Sequence, residues 1–238
     1  MSDPIRIALI AEGATDKIVI EAALEALLPQ GTAIILRQLQ PDTPEDGVLG
    51  GSADATAGIH GGGWGGVCRW CRSVPELGAG NLIVAAQLSY DFVIIHLDVD
   101  VSRGSYTQPN IPCEGFLPLP CAKPCPPASA SADALKEVVK SWLAPVTTEA
   151  NVLWCLPAYN TETWGYAAWR TADARGLSNL ECRTNIPDKL RSHVKKTKKA
   201  YLSHQHDITT NWATVEELCP QAKAFSDAVR TVILPSLQ

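Results

Sequence analysis

No run of this 238-residue chain is long and apolar enough to cross a bilayer, so no membrane role is expected. Positive charge is not in excess: 20 Lys and Arg stand against 25 Asp and Glu, a formal net charge of -5. That balance excludes a protein that coats nucleic acid with its whole surface, while leaving room for a local basic face. No signal peptide is expected either. Met1-Ser2-Asp3-Pro4-Ile5-Arg6 carries an acid where a signal peptide needs positive charge, and the apolar stretch that follows reads as a strand entering a helix. The expected location is cytoplasmic. No internal repeat is visible. Charged residues make up only 19% against 46% hydrophobic, which sets disorder aside and leaves a chain able to bury a sizeable core.

Apolar runs and breakers then divide the chain. Ile5–Ala11 reads as a strand, residues 15–28 as a helix with an apolar stripe, and Thr32–Leu39 as a second strand. Strand, helix and strand at this spacing form a crossover unit, hence a parallel sheet. Residues 40–66, rich in Pro, Gly, Asp and Ala, are expected as a long surface loop. A helical region over 67–88, broken at 78–80, leads into the strand Phe92–Leu97. Seven prolines between Ser102 and Ser131 exclude helix interior and central strand there. Helices are expected over Asp133–Leu143, Thr161–Ala172, Pro187–Leu202 and Pro220–Leu234, with a short strand at Asn151–Leu156.

Two acidic clusters stand out, each delivered by an apolar strand. The first strand ends in Glu12-Gly13, with Asp16 one helical turn on; the other ends in Asp98-Val99-Asp100. Carboxylates at the carboxyl ends of parallel strands collect along the edge where such folds bind ligands. Crowded carboxylates repel unless a cation joins them, and oxygen-only ligands suit Mg²⁺ or Mn²⁺. If the chain stays extended past Asp98, Asp98 and Asp100 face one side. Gly13 is read as permitting a tight turn. His96 is read as facing away from Asp98, as a satisfied core histidine.

The elements Ala11-Glu12-Gly13-Ala14-Thr15-Asp16 and His96-Leu97-Asp98-Val99-Asp100 resemble the Toprim domain of topoisomerases, primases and the overcoming-lysogenization-defect nucleases. Asp16 matches an acid that this last group tends to carry four residues after the first Glu. Glu162-Thr163-Trp164 resembles the Glu-x-Trp signature of small Toprim-like proteins found near bacterial defence genes. The likeness covers residues 5–170. It departs in the long segment between the acidic clusters and in the Pro/Cys-rich loop after Asp100. The resemblance implies Mg²⁺ (or Mn²⁺) held by Glu12, Asp98 and Asp100, with Asp16 and Glu162 as further ligands or base. It also implies metal-assisted hydrolysis of nucleic acid and a place in bacterial defence.

Other features have two readings each. Cys68-Arg-Trp-Cys71 and Cys121-Ala-Lys-Pro-Cys125 have the spacing of a structural Zn²⁺ site, with Cys113 or His60 in reserve, or are reduced, partly buried thiols. Gly61–Gly66 contains Gly-x-Gly-x-x-Gly by accident, since no buried strand precedes it. Lys189, Arg191, Lys195, Lys196, Lys198 and Lys199 crowd one expected helix, as a solvated face or as a phosphate-backbone contact. The fold expected is thus a Toprim-like parallel α/β sheet flanked by helices over 1–175, with irregular insertions, and a helical extension over 176–238. The function expected is a metal-dependent nuclease or phosphoesterase, with a protein partner or second copy left open. A non-catalytic nucleic-acid or nuclease-subunit binding module and a zinc-stabilised interaction domain are the alternatives.

Overall fold

Buried-type strands alternating with helices yield a four-stranded parallel sheet in the computed structural model, which describes residues 3–41, 60–75, 90–148 and 150–237. Strand β1 (Ile5–Ile10) lies between β2 (Ile34–Gln40) and β3 (Phe92–His96), and β4 (Val152–Cys155) pairs with β3. The order is β2-β1-β3-β4. The chain leaves β1 toward one edge and β3 toward the other, so the connections diverge between β1 and β3. Such a divergence opens a crevice beyond the strand carboxyl ends.

Side-chain alternation sorts each strand between two cores. Ile5, Ile7 and Leu9 of β1, Ile94 of β3 and Leu153 of β4 face one; Ala8, Ile10, Val93, Ile95 and Val152 face the other. Because both faces are covered, these strands are continuously apolar rather than alternating. The second core is closed by α2 (Gly63–Ser73), α3 (Ser129–Leu143) and the proline-rich segment between them. That segment is irregular, as its prolines require. It is pinned where the Tyr106 hydroxyl donates to the Leu117 carbonyl (2.7 Å) and Trp142 Nε1 donates to the Tyr106 oxygen (2.9 Å).

The first core is covered by α1 (Ala14–Leu27), α4 (Thr161–Trp169) and α5 (Thr171–Arg175), together with the helices beyond residue 176. These are α6 (Ile186–Arg191), α7 (Lys198–Ser203), α8 (Gln205–Thr210), α9 (Trp212–Leu218) and α10 (Pro220–Val232). Trp164 of α4 meets Trp212 edge-on at 5.7 Å and stacks against Phe225 at 6.3 Å. The extension therefore shares its core with α1 and the sheet. No helix among the described residues is long and apolar enough to cross a membrane.

Three expectations change. Residues 63–66 belong to α2 rather than to a loop, and glycine is needed there for space. A Cβ on Gly65 would stand 2.7 Å from Pro109 Cβ, and one on Gly66 would overlap the Gly61 carbonyl and the Gln40 amide. Gly66→Ala should therefore cost about 1–3 kcal/mol, read as a lowered denaturation midpoint. An unchanged midpoint would show that the contact relaxes freely.

The expected helix 187–202 is two helices. Ser192 Oγ donates back to the Lys189 carbonyl (2.7 Å), and Thr197 restarts the helix by accepting from Ala200 N (3.3 Å). Local side-chain bonds of this kind compete with helix continuation. Likewise, the expected helix 161–172 ends at Trp169 before α5 begins. The remainder of the expected loop 40–66 and helical region 67–88 falls largely outside the described residues.

Candidate metal centre

Each acid is delivered by a strand end or a helix start. After β1, Gly13 forms the N-cap of α1 in an extended conformation (φ -159°, ψ 174°) that any residue adopts, so the turn does not require glycine. Asp16 then lies in the first turn of α1, where the helix dipole favours an anion. Glu12 reaches across the crevice, its Oε1 accepting from Asp98 N at 2.8 Å, and so fastens the ends of β1 and β3 together.

Past Asp98 the chain does not stay extended. Val99–Arg103 winds into a 3₁₀ turn, with Asp100 half-buried in its first turn while Asp98 is buried. Asp98 Oδ1 accepts from Thr161 N at 3.1 Å, at the start of α4, while Thr161 Oγ1 donates to Asp16 Oδ1 at 2.6 Å. One threonine thus joins two carboxylates.

His96 corrects the sequence reading. Residues two apart on a strand share a side, and His96 Nε2 lies 3.3 Å from Asp98 Oδ1. The ring is wholly buried, yet neither nitrogen makes a hydrogen bond among the described residues. One ligand atom from each of Asp16, His96 and Asp98 falls within 4.8 Å of the others, and all three residues are buried. The expected trio of Glu12, Asp98 and Asp100 does not close to that span among the described residues. Glu12 is instead spent on the Asp98 amide.

Electrostatics mark the place as charged against its will. Burial pushes the Glu12 carboxyl well above its ordinary range, and Asp98 and Asp16 add to the effect. Asp98 is raised in the same way by burial, then by Asp16, Glu162 and Asp100. Asp100 rises to about 6, through burial and then Glu162. Buried Glu162, on the first turn of α4, is ion-paired with Lys196, which arrives from the turn between α6 and α7. Burial opposes the Lys196 charge, but Glu162, Asp16 and Asp98 together hold the ammonium above its usual range.

Of the six basic residues expected to face nucleic acid, Lys196 alone enters this cluster. Arg191 is exposed beside Asp188 (3.4 Å), Lys195, Lys198 and Lys199 are exposed, and Lys189 is half-buried. The four-cysteine zinc set is not assembled. Cys125 is joined to Cys182 in a disulfide, brought together as the proline-rich segment packs on the chain beyond α5, so it is not the reduced thiol expected. Cys68 and Cys71 are buried in α2, where burial pushes the Cys68 thiol up to about 12 and Cys71 well above its usual value. Among the described residues no cysteine belongs to a metal-holding group.

Sequence reasoning missed His96, Thr161 and the role of Lys196. The signal for His96 was available in strand parity; those for Thr161 and Lys196 were not, because each acts across a long stretch of chain. Compared with protein-family models, with curated proteins and with solved structures, the chain matches none.

Another buried acid supports α4 from behind. Glu181 accepts from Trp164 Nε1 (2.9 Å) and Gln221 N (2.8 Å), and burial raises its carboxyl to about 7. Since the folded value lies above the ordinary 4.5, the stability Glu181 contributes is complete below about pH 4.5 and lost as pH rises through about 7. The loss is on the order of 3 kcal/mol. Denaturant unfolding of Glu181→Gln at pH 5 and pH 8 should show a smaller decline than wild type. Equal declines would refute this assignment.

Proposed function

We propose that this chain is a divalent-metal-dependent phosphodiesterase acting on nucleic acid, with a Toprim-like arrangement of its acids. The observation that carries the reading is the convergence of Asp16, His96 and Asp98 at the divergence between β1 and β3, with a buried imidazole whose Nδ1 has no partner among the described residues. A buried ring nitrogen without a partner costs free energy unless something binds it. The donor set fits a divalent ion, and two carboxylates with one imidazole suit Mn²⁺ better than Mg²⁺.

In this reading Asp16, His96 and Asp98 hold the metal, and Glu12 keeps Asp98 in place through its backbone. Bound there, the ion would neutralise charge developing on a phosphodiester and activate a water. Glu162, beside the trio, is left to accept a proton. Lys196 balances Glu162 and meets the phosphate.

Lys196 also favours a second reading, the non-catalytic binding module. Its ammonium already sits against the carboxylates and serves as an internal counter-ion. Labelled DNA and RNA incubated with Mn²⁺, Mg²⁺ or chelator separate the two. The enzyme reading requires metal-dependent cleavage, lowered by Lys196→Met. A binding module would retain nucleic acid in chelator and cleave nothing in any metal, an outcome that removes the enzyme.

A further inference from the structure

Beside the recessed acids lies an open cleft of about 480 Å³, lined in part by Glu12, Trp64, Asp100, Arg103, Gln108 and Tyr159. Its size suits a single small-molecule unit. Tyr159 has φ +68°, the left-handed region. The other two non-glycine residues with positive φ among those described are Asn110 and Asn179, a type that tolerates it; a tyrosine does not. Strain of this kind persists where surrounding structure imposes it, and it gathers at ligand clamps. Here the Tyr159 carbonyl accepts from Asp100 N at 2.9 Å, so the residue that shapes the cleft wall is tied directly to an acid of the cluster.

The remaining groups are arranged for a planar, charged ligand. The Arg103 guanidinium lies over the Tyr159 ring at 5.5 Å and makes no hydrogen bond or ion pair among the described residues, which leaves its N–H edge open. Trp64 is held by stacking on Trp142 at 6.2 Å and 22°. Trp64 and Gln108 close over Gly104, where a Cβ would stand 3.8 Å and 3.2 Å from them. Gln108 Oε1 accepts from Ser105 N (3.3 Å), which orients its amide and leaves the Nε2 donors for a ligand.

We infer that this cleft binds one unpaired nucleotide of a single strand, its base on the Tyr159 and Trp64 rings, its edge toward Gln108 and its phosphate on Arg103. Bases in a duplex keep their faces stacked on neighbours, so aromatic walls serve only a splayed base. This inference rests on the nucleic-acid reading above and names the form of substrate that reading leaves open.

The test is fluorescence anisotropy of a labelled oligothymidylate in chelator, so that binding is read without hydrolysis. Wild type should bind the single strand roughly ten-fold or more tighter than the same strand in duplex. Tyr159→Gly, which removes the ring and relieves the backbone, should weaken binding by roughly ten-fold while melting no lower than wild type. Tyr159→Phe should bind as wild type does. Arg103→Ala should weaken binding and lower the salt slope by about one. Equal affinity for strand and duplex, or full binding by Tyr159→Gly or Arg103→Ala, overturns the inference. Adenosine monophosphate binding as tightly as the strand also overturns it, in favour of a free nucleotide. Strand binding without cleavage in any metal would remove the hydrolase and keep this site; cleavage indifferent to the Tyr159 and Arg103 variants would do the reverse.

Discussion

Asp98→Asn should lose phosphodiester hydrolysis by ~10³-fold or more and yet remain folded, with metal-free stability at alkaline pH equal to or above wild type. Both halves follow from one position. Asp98 belongs to the trio with Asp16 and His96, so removing its charge takes away an anionic ligand worth several kcal/mol to the reaction. The same charge is buried among Asp16, Glu162 and Asp100, which push its carboxyl toward the neutral form. Asparagine keeps an oxygen to accept from Thr161 N, so the joint between β3 and α4 survives. Cleavage rates and melting curves measured on one preparation check this. Full activity in the variant would remove Asp98 from the chemistry; loss of folding would instead assign it a structural role.

Mn²⁺ added at a hundred-fold excess over its dissociation constant at pH 8 should raise the melting temperature there by about 5–10 °C, and the same concentration should raise it less at pH 5. The size follows from about 2.7 kcal/mol of ligand stabilisation at that excess, and about 2–4 °C per kcal/mol for a chain of this length. The pH dependence follows from acids whose folded values are raised. For Asp100 the stability is complete below its ordinary 3.8 and is lost as pH rises through about 6. Glu12 and Asp98 are shifted in the same direction. At pH 8 the site therefore carries more negative charge than at pH 5, and a divalent ion relieves the repulsion; at pH 5 protons compete with the ion. Calorimetry in Mn²⁺, Mg²⁺ and chelator at both pH values reads the effect, with Mg²⁺ the weaker. A melting temperature indifferent to metal at pH 8 would leave the trio as a buried polar contact.

The sheet and its acidic edge were legible because apolar runs and strand ends are local properties. β1, β3 and β4 lie where Ile5–Ala11, Phe92–Leu97 and Asn151–Leu156 place them, within a residue or two. Glu12, Asp16, Asp98 and Glu162 do gather at the carboxyl end of that sheet. Membership of the tightest group was legible for His96, through strand parity, but not for Asp100, whose place turns on conformation past the strand. The 3₁₀ turn after Asp98 leaves Asp100 outside the trio, and the side shared by positions 96 and 98 brings in a histidine. The basic run misled for a related reason. A helical period drawn through 187–202 predicts one charged face, whereas the break at 192–197 turns Lys196 inward to Glu162. The cysteine spacing misled because Cys125 meets a partner 57 residues away rather than a neighbour in sequence.

The interlocking of α1 with the helices that follow residue 176 has a practical consequence for dissection. Ile20, Leu24 and Trp164, all at most 1% exposed, are sealed by side chains such as Trp212, Phe225 and Val229. A fragment ending near residue 175 would lay that apolar surface bare and would also lose Lys196. Shortened versions of this protein made to isolate its acidic edge should therefore aggregate rather than report on it.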